Sequence, residues 1–178
     1  MRIGLISDTH VPEAGLRLPT EVYDHFRSLD MILHAGDMHV IEVLDWLGEL
    51  APTLGARGNG DGDGSRPPFP DDDPRVEAAH VLELEDLRVG LIHGHPMPED
   101  TPWITQAALM DRHFGGHVDV LVCGDTHVPV IVQVDTTLIV NPGSPMLPRN
   151  VKEPGTVAIL TIESGTATAE IIQLTTLD

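Results

Sequence analysis

Short apolar runs that stop at an aspartate recur along this chain. "RIGLIS" is closed by Asp8, "DMILHAG" by Asp37 and "VDVLVCG" by Asp125. Runs of this length bounded by polar residues suit buried strands. Between the first two, residues 19–29 place Val22, Phe26 and Leu29 on one helical face, with Pro19 at the front and an acid in the first turn. The stretch "VIEVLDWLGEL" aligns Ile41, Leu44 and Leu47, and Val43, Trp46 and Leu50 broaden that face into a second helix. "APTLGARGN" is a third, small-residue strand. Strand and helix alternate, which predicts parallel βαβ units.

Residues 60–74, "GDGDGSRPPFPDDDP", carry no period and predict a loop. The loop begins D-x-D-G in the manner of a calcium loop. Its sixth position, which needs glycine, is Arg66 and its twelfth is Asp72, so that reading is rejected. Beyond it strands dominate. "VEAAHVLELED" and "LRVGLIHG" predict neighbours joined by a turn near Asp86. Residues 101–114 predict a helix capped by Thr101, with Pro102 in its first position. Two hairpins follow, turning near Asp135 and at Ser164-Gly165. The expectation is one α/β domain over residues 1–178, with layered mixed or face-to-face sheets.

Composition narrows the function classes. The net charge is −18, and no Lys/Arg cluster offers a footprint for a nucleic-acid polymer. No apolar stretch approaches the ~20 residues that span a bilayer. A single cysteine, Cys123, sits in an apolar run and predicts a small core residue in a reducing compartment. With no leader recognisable, a cytoplasmic location is expected. Aromatic residues are only 3% of the chain, which leaves few platforms for stacking a base.

Ten histidines among so many acids raise the question of metal binding. Candidate ligands stand at the ends of predicted strands: Asp8, His10, Asp37, Asn59, His93, Asp125 and His127. Ligands of open α/β sheets collect at the carboxyl ends of strands. An Asp and a His two apart project to one side if the chain is extended. Any one of these residues alone would be a turn or cap. Seven at five strand ends are not explained by capping. Asp8-Thr9-His10-Val11-Pro12 and Asp125-Thr126-His127-Val128-Pro129 are also identical pentapeptides. Each proline is expected to end its strand and turn the chain away.

The blocks Asp8-x-His10, Gly36-Asp37, Gly58-Asn59, His93-Gly94-His95 and Gly124-Asp125-Thr126-His127 carry a resemblance. In order and spacing the chain resembles the calcineurin-like metallophosphoesterases from residue 3 to about 149. It is most similar to their small single-domain prokaryotic phosphodiesterases, including "NPGSP" and Pro148-Arg149. The resemblance implies a four-layer αββα sandwich of two mixed β-sheets flanked by helices. It implies a dinuclear centre with Asp8, His10, Asp37 and His127 on one ion and Asp37, Asn59, His93 and Asp125 on the other. A hydroxide bridging the ions would attack a small phosphodiester or nucleotide. Asn59 is expected to contact phosphate and serve catalysis. His95 is expected either to contact phosphate and act as an acid in place of position 60 or to orient His93, and Arg149 either to contact phosphate or to be a surface or helix-end arginine. The expected cofactor is a pair of Mn²⁺ ions, with Mg²⁺, Fe²⁺, Ni²⁺ or Zn²⁺ as alternatives. The expected partner is a small phosphate ester, and self-association is left open.

Two positions depart from the wider family. Asp125 stands where a histidine is usual. An ionised Asp125 takes the sum of two cations, two aspartates and a hydroxide from +1 to 0, and moves preference toward harder ions. Gly60 stands where a histidine often serves the leaving group, and loss of a general acid typically forfeits ~10²–10⁴-fold in rate. These departures keep an alternative in view: a catalytically weak scaffold for protein–protein interaction, as in a retromer subunit of the same fold.

Overall fold

Side-chain alternation along the first strand sets the layering. In β1 (Arg2–Ile6), Ile3 and Leu5 enter one apolar cluster and Ile6 another, because successive side chains leave a strand on opposite faces. The inward pair packs against Val89, Leu91, Val120 and Val122 of a second sheet. The outward face meets α1 (Thr20–Phe26) and α2 (Glu42–Gly48) through Val22, Phe26, Val43, Leu44 and Leu47. Gly4 permits this approach, since a Cβ there would lie 3.1 Å from the Phe26 ring. Met110 and Phe114 of α3 (Gln106–Phe114) cover the outer face of the second sheet against Leu121, Cys123 and Ile139. The layers therefore run helix, sheet, sheet, helix, as the resemblance implied. The chain is described by a computed structural model at every residue except 63, 65, 71 and 98.

The first sheet contains β2 (Met31–His34), β3 (Thr53–Ala56), β4 (Val76–Glu77), β10 (Thr156–Glu163) and β11 (Thr166–Gln173), in the order β11-β10-β1-β2-β3-β4. Strands β1 to β4 are parallel, while β10 and β11 add antiparallel. The second sheet, β5 (Ala79–Leu84), β6 (Leu87–Ile92), β7 (Val120–Val122), β8 (Val130–Val134) and β9 (Thr137–Asn141), runs β5-β6-β7-β9-β8. Its β6, β7 and β9 are parallel, with β5 and β8 antiparallel on the edges. Both sheets are mixed.

The expected hairpin turns are found, with left-handed backbone at Glu85, Asp135, Ser164 and Gly165. One boundary needs correcting. The third helix is capped by Thr105, whose hydroxyl accepts from Ala108 N–H at 3.1 Å, and not by Thr101. Residues 101–104 form a separate turn, in which Ile104 N–H donates to Thr101 C=O. A proline in a first helical position is equally at home in such a turn. The 60–74 loop holds no helix or strand among its described residues; its positions 63, 65 and 71 lie outside them. Phe69 anchors it, buried, with the Arg57 guanidinium 5.7 Å above the ring. Among the described residues no helix is long and apolar enough to cross a membrane.

Phe26 is fully buried between α1 and the first sheet. Phe26→Ala is expected to cost about 3–5 kcal/mol in urea unfolding. A loss below about 1 kcal/mol would contradict this packing.

Candidate metal centre

The parallel strands of both sheets deliver their carboxyl ends to one rim, and the chain leaves three of them through the same motif. Asp8-Thr9-His10 follows β1, Asp37-Met38-His39 follows β2 and Asp125-Thr126-His127 follows β7. At every Asp and His of the three the backbone is left-handed, with φ of 53° and 47°, 55° and 70°, 71° and 58°. The extended geometry expected for Asp8 and His10 is therefore corrected. Two left-handed residues flanking one ordinary residue curl each segment into an arch. Asp and His enter this region more readily than most residues, but six such positions persist only where surroundings hold them. The first two arches run side by side: Asp8 N–H donates to Gly36 C=O, and His10 N–H to Asp37 C=O.

The threonines at the tops of the first and third arches share a role. Gly36 N–H donates to His34 Nδ1, so His34 Nε2 carries the proton that Thr9 Oγ1 accepts at 3.1 Å. In the other sheet Asn141 Nδ2 donates to Thr126 Oγ1 at 3.1 Å. Each threonine is thus tied to the last residue of the neighbouring parallel strand, β2 or β9. The prolines do not end the strands, contrary to expectation. β1 and β7 stop before the arches, and Pro129 leads directly into β8.

Around the arches the imidazoles are oriented from behind. His93 Nδ1–H donates to Ala35 C=O at 2.7 Å, and His127 Nδ1–H to Leu147 C=O at 2.7 Å. Each ring therefore turns a bare Nε2 lone pair into the rim. His93 Nε2 lies 3.6 Å from Asp37 Oδ1, 3.5 Å from Asp125 Oδ1 and 3.0 Å from Asn59 Oδ1. His127 Nε2 lies 3.5 Å from Asp8 Oδ1, and His10 Nε2 lies 3.6 Å from Asp37 Oδ2. Asp8 Oδ1 and His10 Nε2 are buried and make no hydrogen bond among the described residues. Burial pushes the Asp8 carboxyl up to about 6, against the pull of His93, Ser7 and His127. Burial, with His39 beside it, holds the His10 imidazole down to about 4. Acceptors facing acceptors in a buried place are costly unless a cation lies among them. The donor set fits divalent metal ions, and among the described residues three groupings bring their ligand atoms within 4.8 Å of one another: Asp8, His10 and His127; Asp8, Asp37 and His93; and His10, Asp37 and His39.

All seven candidate ligands reach this rim, Asp125 at its solvent edge with its side chain 54% exposed. His95 lies behind it, with Nε2 2.6 Å from Gln106 Oε1 and Nδ1 buried without a partner among the described residues. Arg149 stands beside the site by its backbone, whose N–H donates to His127 C=O, while its guanidinium is exposed near Glu153. Three contributors escaped the sequence reading. Asp61 is buried, and its carboxylate accepts from the N–H groups of Asp37, His39 and Gly58 at 2.7–3.0 Å. His39 is buried, with Nδ1 2.9 Å from Glu13 Oε2. A groove of about 730 Å³ opens beside His93, lined by Arg57, Asn59, Arg112, His113 and Asp125. The third D-x-H at 37–39 was the available signal for His39.

Comparison with known proteins follows the same lines. The family model described as "Calcineurin-like phosphoesterase superfamily domain" matches residues 1–165. A probable metallophosphoesterase of Methanothermobacter thermautotrophicus is 38% identical over 97% of this chain and 92% of its own. A phosphodiesterase of Methanocaldococcus jannaschii is 27% identical over 80% of this chain and 83% of its own. Among solved structures, Vps29 of Entamoeba histolytica in complex with zinc superposes with a TM-score of 0.68 at 24% identity, covering 97% of this chain and 99% of that one.

Asp61→Ala strands three backbone N–H groups that serve both the second and third blocks. It is expected to cost the metal-free protein about 3 kcal/mol in urea unfolding with chelator present. A loss under about 1 kcal/mol would show that the carboxylate does not hold the rim together.

Proposed function

Since the chain belongs to the calcineurin-like phosphoesterase superfamily, we propose that it is a metal-dependent phosphodiesterase acting on small phosphodiesters or nucleotides with two divalent cations. The observation that carries this is the set of inward lone pairs. His93 and His127, each pinned through Nδ1–H, and the unpartnered His10 Nε2 and Asp8 Oδ1 all face one small volume. Asp8, His10, Asp37 and His127 would hold one cation, and Asp37, Asn59, His93 and Asp125 the other. Cations held by these residues would supply an acidified water and a clamp on the phosphate oxygens. The oxygens of Asp8, Asp37, Asn59 and Asp125 favour a hard ion, Mn²⁺ first among them.

The chain's own groups do the rest. Arg57 and Arg112 line the groove beside His93 and would meet a second anionic or polar part of the substrate. Asn59 contacts the phosphate, and the bare Nδ1 of His95, whose Nε2–H donates to Gln106 Oε1, takes up a proton before passing one to the leaving group that Gly60 cannot serve. Arg149, with its guanidinium exposed, meets the outer phosphate oxygens. One apolar cluster joins Ile3, Leu5 and Leu33 of the first sheet to Val89, Val120 and Val140 of the second, which supports one domain over residues 1–178.

A scaffold is the second reading. The edge strand β8 and the residues before it expose Val128, Ile131 and Val132, and Trp103 is also exposed. Such apolar side chains suit a protein partner.

With metal stripped and Mn²⁺ restored, the protein is expected to hydrolyse bis-p-nitrophenyl phosphate, and Asp37→Ala to fall to background. Metal uptake without turnover of any phosphoester would favour the scaffold. Asp125→His should restore positive charge to the rim, tighten the second ion about 10-fold and speed turnover. Unchanged metal affinity in that variant would refute the role given to position 125.

A further inference from the structure

We propose that His39 is an additional ligand of the cation held by Asp8, His10, Asp37 and His127, and that Glu13 orients it. The inference rests on the metal-centre reading above and extends it to residues outside the five-block ligand set. Four observations converge on it.

The first is local geometry. Asp37-Met38-His39 repeats the arch of Asp8-Thr9-His10 and Asp125-Thr126-His127, with left-handed φ at both its Asp and its His. In the other two arches both the carboxylate and the imidazole turn toward the rim. In this one Asp37 does so, and His39 completes the motif. The second is proximity. The nearest ligand atoms of His10, Asp37 and His39 all lie within 4.8 Å of one another, and the His10 and His39 rings are 4.2 Å apart between centroids.

The third is an unanswered lone pair. Glu13 Oε2 accepts from His39 Nδ1–H at 2.9 Å, which fixes the tautomer and leaves Nε2 bare. Among the described residues that Nε2 is buried without a hydrogen-bond partner, on a residue only 1% exposed. A carboxylate behind an imidazole whose far nitrogen faces a cation is the usual way a metal-ligating histidine is oriented and made more basic. Asp61 fixes the backbone of the same residue, accepting His39 N–H at 2.7 Å.

The fourth is Gly60. A Cβ at that position would stand 2.8 Å from His39 Nε2 and 3.1 Å from Asp37 Oδ1. His39 Nε2, with Arg66 Nη1 3.1 Å from the same point, takes up the space that a side chain at 60 would enter first. Gly60 is therefore the counterpart of His39. The chain gives up a side chain in the third block and gains a nitrogen ligand from the second. This also separates the duties of the histidines: His39 faces the cation, and His95, on the other side of the rim, keeps a free nitrogen for a proton.

The test is Mn²⁺ binding by calorimetry to metal-free protein, with circular dichroism confirming that each variant is folded. Wild type should bind, and Asp8→Asn should lose the tight event. His39→Gln is expected to weaken that event about 10–100-fold, and Glu13→Gln about 10-fold. Gly60→Ala should weaken Mn²⁺ binding in wild type but add nothing in the His39→Gln background, because the two groups contend for one space. In the Co²⁺-loaded protein, one hyperfine-shifted exchangeable imidazole N–H resonance should vanish in His39→Gln. Wild-type uptake of Mn²⁺ that Asp8→Asn abolishes and His39→Gln leaves within 2-fold would overturn the inference alone. So would an unchanged affinity with slower turnover, which would make His39 a proton donor. A folded wild type that takes up no Mn²⁺ would overturn the metal-centre reading as well.

Discussion

Lone pairs that face one another in a buried place are the constraint around which this molecule is arranged. Asp8 Oδ1 and His10 Nε2 are buried without hydrogen bonds, and the bare nitrogens of His93 and His127 point at carboxylate oxygens 3.5–3.6 Å away. Water is largely excluded from Asp8, whose carboxyl is pushed up to about 6 by burial. Such an arrangement costs free energy in an isolated chain and becomes favourable around a positive charge. The fold tolerates the cost because the two sheets supply a rigid frame behind it.

That frame explains why the ligands come from so many places. Parallel strands in both sheets end on the same rim, so β1, β2, β3, β6 and β7 can each contribute a loop without any long excursion. Main-chain groups then lock the loops to one another. Ala35 and Leu147 carbonyls hold two imidazoles, Asp61 holds the N–H groups of two blocks, and Ser144 Oγ donates to Asp8 C=O at 2.7 Å. The Cys123 thiol, pushed up to about 12 by burial and the acids nearby, belongs to the core and not to the chemistry.

Much of this was legible in the chain. Aspartate-terminated apolar runs marked β1, β2 and β7, and 3.6-residue spacing marked α1 and α2, because burial on one face leaves a period in the sequence. The layered order followed from the resemblance more than from periodicity, which cannot say how two sheets stack. The start of α3 was misplaced because Thr101-Pro102 and Thr105 offer equivalent caps, and only tertiary packing selects between them. The direction of Asp8 and His10 was misjudged in backbone though not in outcome: left-handed φ at non-glycine residues leaves no compositional mark. Asp61 looked like part of a calcium-type loop, yet its carboxylate is spent on backbone N–H groups of the distant Asp37 and His39 and of nearby Gly58. His39 lies in a D-x-H at 37–39 that the chain displays openly, but the five-block pattern contains only its Asp37.

Anomalous diffraction at the manganese edge, from crystals grown in excess Mn²⁺, reports directly on whether the rim gathers its ligands around cations. Two peaks are expected, one of them about 2.0–2.3 Å from Asp8, His10, Asp37 and His127 atoms, with Asp37 shared between both. An empty rim at full Mn²⁺, with these side chains turned apart or bridged only by water, would contradict it.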